Sequence, residues 1–307
     1  MQNARHRRAD APLFLIVAAY AGIVGIWGTT WLGIKFSLLG WPPLTGAGAR
    51  FLIAGAVLWC VAFARGIHLR PAALDWRFVA ILAFSMFGLS YALTYLAETH
   101  LASGLVAVLY GTMPFFVFAF ALPMLGERTP LTAVAGAVLA LAGVAVISLV
   151  GAVRGELAFI VAALVASASS AFGNVYLKRH ASVAPLVALP PAMLLGGAGL
   201  TLCGLATERT SLHAALAFTP LAALLYLALV GSALAFVLNA WLLQRIPAGA
   251  VSFSALMVPV IAVAVGIVFG GEVFSSRDLI GAALVIAGAA LALRAPAQRS
   301  PTVEAAA

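Results

Sequence analysis

The stretch GERTPLTAVAGAVLALAG at 126–143 returns 145 positions later as GEVFSSRDLIGAALVIAG at 271–288. Each copy opens on a Gly-Glu pair, Gly126-Glu127 and Gly271-Glu272, and each then carries two glycines two helical turns apart, Gly136 with Gly143 and Gly281 with Gly288. The same ungapped shift superposes Gly28 on Gly173, Gly104 on Gly249 and Pro114 on Pro259. Chance does not hold one register over so much chain, so two homologous halves are expected.

The medium of these halves follows from composition. Of 307 residues, 64% are apolar and 8% charged, against about a quarter charged in soluble domains. A helical crossing of a bilayer takes roughly 20 apolar residues. Read against breaks such as Trp41-Pro42-Pro43, Arg70-Pro71 and Gly126-Glu127-Arg128-Thr129-Pro130, the apolar runs predict ten spans. They lie near 12–34, 44–64, 77–97, 101–122, 130–150, 156–177, 184–205, 219–243, 249–270 and 277–294. The fold expected is an all-α integral membrane protein with its halves at 12–150 and 156–294. The first run is longer than a signal-peptide core and has a later counterpart, so it reads as a permanent helix.

The shift covers five spans, an odd number, so the second half enters the membrane with the opposite sense. Inverted-topology repeats recur in transporters because two similar halves can exchange conformations around one central site. A static scaffold could use the same symmetry, and a flippase for a lipid-linked solute would add a lateral opening. An intramembrane enzyme would need paired acids, a His-Glu metal motif or a nucleophile elbow, and the sequence carries none of these.

The net charge of +8 comes without a basic run, which argues against nucleic acid as partner. Topology accounts for it. With the N-terminus inside, the inner segments hold twelve cations, among them Arg5, Arg7, Arg8, Arg128, Lys178 and Arg245. The outer segments hold four, Lys35, Arg154, Arg209 and Arg277, a bias that puts both termini in the cytoplasm. Cys60 and Cys203 fall in apolar runs and read as small hydrophobes, so no metal or other cofactor is expected.

Residues repeated between the halves read mainly as scaffold. The paired glycines permit close helix contact in lipid, and Glu127 and Glu272 stand where a carboxylate caps a helix N-terminus. Pro114 and Pro259 fall mid-span, and each deprives the carbonyl four residues earlier, on Tyr110 and Ala255, of its helical donor. That predicts a matched pair of kinks, serving either as plain bends or as the lining of a cavity.

Residues that differ between the halves are the better candidates for recognising an asymmetric solute. Tyr91, Tyr95 and Glu98 share one face of the third span, opposite Phe236, Ala240 and Leu243 under the shift. Ser103, Ala107, Tyr110 and Pro114 share a face of the fourth, and Ser232, Phe236 and Asn239 a face of the eighth. Such groups either contact solute or hydrogen-bond between helices. Trp27 and Trp31, with Thr30 between them, suit flat or cationic solutes, although packing is the expected role of Trp31. Arg50 lies inside the second span, where a charge costs about 2.5 to 3.5 kcal/mol even on lenient scales. It requires snorkelling, an ion pair with Glu98, or an anionic group on the solute. No acid lies deep in a span, so either Glu98 titrates from the rim or transport is not proton-coupled.

Together Trp27-Gly28-Thr29-Thr30-Trp31, Trp41-Pro42-Pro43 with Ala49-Arg50-Phe51, Ala102-Ser103-Gly104, Pro114 and Gly126-Glu127 resemble the drug/metabolite transporter superfamily. The resemblance is to its ten-helix branch of two EamA domains, over about 12–294. It implies an inner-membrane carrier, commonly an exporter of amino acids or related metabolites, with a cavity lined by spans three, four, eight and nine. That places Tyr91, Tyr95, Tyr110, Phe236, Asn239 and the Pro259 region at the cavity, and gives Arg50 a position usually basic in the family. The four-helix drug–proton antiporters of the superfamily use a deep glutamate in their first span, which this chain lacks. The expected partners are a small organic solute and the bilayer, with the carrier acting as a monomer or homodimer.

Overall fold

A computed structural model describes residues 11–69, 74–101, 103–148, 157–209, 211–261 and 276–293, and within them finds helices and no strand. Gly271 and Glu272, the end of the ninth span, Ala102 and the arginines at both chain ends lie outside the described residues.

The first half runs α1 (Leu13–Ser37), α2 (Pro43–Ala64), α3 (Trp76–Glu98), α4 (Ser103–Tyr110), α5 (Met113–Leu125) and α6 (Leu131–Ser148). The second runs α7 (Leu157–Arg179), α8 (Pro185–Thr207), the short α9 (Leu212–Ala215), α10 (Phe218–Leu243), α11 (Ala248–Ile261) and α12 (Ser276–Leu293). Six of them, α1, α2, α3, α7, α8 and α10, are long and apolar enough to cross a membrane unaided. With the shorter apolar helices they make the ten-span, two-repeat membrane fold. The ends follow local chemistry. Proline opens α2 and α8, where its missing N–H costs nothing. Asp75 accepts from the Arg77 and Phe78 amides to cap α3, and Gly126 closes α5 in the left-handed region at φ 69°.

Packing respects the repeat. α2 lies along its counterpart α8, and α6 along α12. In the second pair Gly136 meets Gly288 and Gly143 meets Gly281, so the 145-residue shift exchanges the two contacts. A Cβ built on Gly136 would stand 2.5 Å from the Gly288 carbonyl oxygen, and one on Gly143 2.6 Å from that of Gly281. Only glycine permits this approach, as expected for small residues between helices in lipid.

Two spans depart from the continuous helices expected. The fourth is interrupted at Gly111-Thr112, and Pro114 sits in the first turn of α5 rather than in mid-helix. There its absent N–H would have had no helical partner in any case, so it starts a helix instead of kinking one. The ninth is interrupted at Phe253, six residues before Pro259. The two breaks are therefore not matched at the prolines.

Candidate functional site

A different pair of irregularities does match. α3 contains a π-helical segment at Ala83–Leu89, and α10 contains one at Leu229–Leu234. Under the repeat shift the first falls on 228–234, so the halves share the feature. A π turn accommodates an extra residue at the expense of the regular ladder and is frequent at functional sites.

Arg50 is fastened to the second of these segments. Its Nε donates to Ser232 Oγ at 2.6 Å and its Nη2 to the Gly231 carbonyl at 3.1 Å, while Nη1 reaches the Tyr95 hydroxyl at 3.5 Å. The guanidinium carbon lies 4.9 Å from the centre of the Tyr91 ring and 5.5 Å from that of Phe51. Arg50 is only 1% exposed, so it turns inward and does not snorkel. Among the described residues no carboxylate comes within ion-pairing distance of it.

Beside the guanidinium is a cavity of about 70 Å³, between the halves. Both repeats build it. α1 contributes Trp27, Thr30, Trp31 and Ile34, α2 Arg50, α3 Tyr91 and Thr94, and the broken fourth span Ala107, Tyr110 and Met113. From the second half come Ser170 and Asn174 of α7, Phe236 of α10 and Ala255 and Val258 of α11. The aromatic rings meet edge to face, Trp27 on Phe236 at 5.7 Å and Trp31 on Tyr110 at 6.0 Å.

Of the residues singled out in the sequence, Trp27, Thr30, Arg50, Tyr91, Tyr110 and Phe236 stand together on this wall. Trp31 packs as expected, buried against Val106 and Ala107 of the fourth span, and also reaches the cavity wall. Tyr95 is fully buried behind Arg50, and Asn239 is buried against α7, donating its amide to Asn174 Oδ1 at 2.7 Å. Glu98, the last residue of α3, is not on the wall. Ser170 and Asn174 are wall residues the sequence reading passed over. The signal lay in Ser167, Ser170 and Asn174, spaced i, i+3, i+7 along an otherwise apolar span.

The break in the fourth span is repaired from the other repeat. The Tyr110 carbonyl, which Pro114 cannot serve, accepts from Ser167 Oγ at 3.1 Å, and Thr112 donates to the same serine at 3.3 Å. Ser90 Oγ donates to the Ala166 carbonyl at 3.0 Å and stands 3.3 Å from the Tyr110 hydroxyl. Irregular backbone at membrane depth is thus satisfied by polar side chains of the neighbouring helices, as hydrocarbon surroundings require.

Carboxylates join the halves at both ends. At one face Glu127 caps α11 through the Ala248 amide at 3.0 Å and lies 3.5 Å from Lys178 Nζ. That ammonium also donates to the Leu243 and Ile246 carbonyls at 2.8 and 2.6 Å. At the opposite face Glu208 accepts from the Leu44 amide at 2.8 Å, and from the Thr45 amide and hydroxyl at 2.9 and 2.8 Å. Each cap crosses from one repeat to the other. Glu127 does cap a helix, though not the one that follows it in sequence.

Comparison with known proteins agrees with this architecture. The sequence pattern of the EamA-like transporter family matches residues 13–149 and again 153–294. The Uncharacterized inner membrane transporter YedA of Escherichia coli (strain K12) is 30% identical over 283 residues, covering 90% of this chain and 88% of that one. A Probable terminal-alkyne amino-acid exporter of Streptantibioticus cattleyicolor is 29% identical over 86% of this chain and 89% of its own. A Probable amino-acid metabolite efflux pump of Salmonella typhimurium is 29% identical over 87% and 90%. One solved crystal structure superposes with a TM-score of 0.80 at 22% identity, covering 92% of this chain and 99% of that one, and so shares the fold. With the family pattern matched in both halves, on ten spans folded around a shared cavity, the chain is a multi-pass membrane transporter and belongs to the EamA-like transporter family.

Proposed function

We propose that the protein is a secondary transporter that exports small organic metabolites, amino acids and their relatives first among them. It does so by exposing the central cavity alternately to the two faces of the cell membrane. The observation that carries this reading is the shared wall. Trp27, Arg50, Tyr91 and Tyr110 of one half face Ser170, Asn174 and Phe236 of the other, so movement between the halves must reshape the cavity.

At about 70 Å³ the cavity holds on the order of two waters, well below the size of an amino-acid site. Admission of a solute therefore requires the wall to move. The contacts available to break are the Glu127–Ala248–Lys178 cluster at one end and the Glu208 cap at the other. The distribution of Lys and Arg supports a cytoplasmic position for the Glu127 face and for both termini. The relatives' names, which include amino-acid and metabolite exporters, favour outward flux.

The test is efflux of preloaded, radiolabelled amino acids and simple derivatives from cells with and without overexpressed protein, beside a Tyr110→Ala variant present at equal level. Faster efflux of one solute class, lost in the variant, is the expected result. An unchanged rate in Tyr110→Ala for every exported solute would remove the cavity as the route.

A further inference from the structure

Arg50 presents an unbalanced account of charge. Its guanidinium is buried in the middle of an apolar bundle, yet the groups that hold it are a hydroxyl, a backbone carbonyl and a phenol, all neutral. The acids whose side chains are described are engaged or placed elsewhere. Asp75 caps α3, Glu127 serves Lys178 and α11, Glu208 caps α2, and Glu98 ends α3 off the wall. A guanidinium offers five N–H donors, and three are engaged here. The remaining donors belong to a side chain that forms part of the cavity wall. Burying a charge without a counter-charge is costly, and the cost is recovered when an anion arrives with good geometry.

The rest of the wall sets what else the anion can be. Among the described residues no carboxylate lines the cavity, so none of them offers a formal charge to an ammonium group. What faces Arg50 is aromatic, Tyr91 below the guanidinium and Phe236 6.3 Å from Tyr91, centre to centre.

We propose that Arg50 is a specificity-determining residue that receives the carboxylate of the transported solute, and that the cavity selects aromatic or apolar organic carboxylates whether or not they carry an α-ammonium group. This rests on the export reading above and sharpens it. The arriving carboxylate takes the free N–H donors and competes with Ser232 for Nε. Because Ser232 and Gly231 belong to the π segment of α10, occupancy at Arg50 is felt in the span that also supplies Phe236. The solute is thereby sensed by a segment whose helical ladder is already loosened.

The experiment compares four probes that share one phenylethylamine frame: phenylalanine, N-acetylphenylalanine, phenylalaninamide and phenethylamine. Efflux of each is measured from cells carrying wild-type protein, and binding by thermal stabilisation of the purified full-length transporter. The expected result is that both acids are exported and stabilise the protein, while the amide and the amine are weaker by about tenfold or more, as for a lost charge-assisted bond. This comparison needs no variant to fold. Ser232→Ala, which keeps the guanidinium and removes a competitor, is expected to bind the acids as tightly as wild type or tighter; a merely structural Arg50–Ser232 bond would weaken every probe alike. Arg50→Gln is expected to level the acid–amide difference. Equal export of acid and amide by wild type would overturn the proposal and leave the export reading standing. No export of any of the four, with other solute classes moving normally, would also overturn it, whereas no export of any solute at all would remove both.

Discussion

Lys178 stands 3.5 Å from the Glu127 carboxylate and donates to two backbone carbonyls that close the turn between α10 and α11. One ammonium thus ties the end of α7 to the α5–α6 connection and to the start of α11. In Lys178→Met, Glu127 loses its cation, and the Leu243 and Ile246 carbonyls lose a donor. The expected loss is about 1 to 3 kcal/mol, read as a lower melting temperature of the purified protein. Glu127→Gln, whose amide oxygen still accepts from Ala248, is expected to lose less. Equal melting temperatures for wild type and Lys178→Met would show that the cluster contributes nothing to closing this face.

The glycine seam of α6 and α12 makes a sharper demand. Gly136→Ala places a methyl 2.5 Å from the Gly288 carbonyl oxygen, closer than packed atoms come, so the helices must part. Overpacking of this kind costs about 1 to 3 kcal/mol. Gly25, whose added Cβ meets nothing within 4 Å, is the control. Thermal unfolding should separate Gly136→Ala from Gly25→Ala clearly; two coincident curves would mean that the seam is looser than described.

Ser167→Ala removes the donor that serves the Tyr110 carbonyl at the interruption of the fourth span. An unserved carbonyl at membrane depth is costly, so both melting temperature and transport rate are expected to fall. In Ser169→Ala the lost bond goes to the Ser85 carbonyl, at a distance from the cavity. That variant is expected to lose stability without the same loss of rate.

Among the described residues the cavity wall carries no carboxylate and no imidazole, the side chain whose charge changes near neutral pH. Transport of a permanently ionised solute is therefore expected to be flat between about pH 5.5 and 8.5, and Glu98→Gln to leave both rate and pH profile unchanged. Efflux from proteoliposomes at stepped pH is the measurement. A pH step that vanishes in Glu98→Gln would make that residue a proton carrier.

Periodicity and repetition made the architecture legible, because a span must be long and apolar and a close helix contact must be glycine. Gly136, Gly143, Gly281 and Gly288 declare both at once. The π segments left no mark in composition, since Ala83–Leu89 and Leu229–Leu234 consist of residues any apolar helix uses. The break at Gly111-Thr112 was hidden for a related reason: Pro114 signals the loss of a donor but not whether the helix bends or restarts. Among the candidate site residues, a shared helix face did not fix depth. Tyr91 and Tyr95 follow each other on one face, yet Tyr91 reaches the cavity while Tyr95 lies behind Arg50. On α10, Ser232, Phe236 and Asn239 meet three different partners, Arg50, the cavity and Asn174. Which acid caps which helix is a tertiary fact, and Glu127 serves α11 because the two repeats interlock.

The central claim is that one cavity, shared by both repeats, opens in turn to each side. Its most direct measurement is two-sided labelling of a single cysteine at Asn174 on the cavity wall, with Cys60 and Cys203 replaced by alanine. A membrane-impermeant thiol reagent is applied from one side at a time to oriented vesicles, with and without a transported solute. The account predicts labelling from both sides, slowed by the solute on both. Labelling confined to one side under every condition, or untouched by solute, would contradict it.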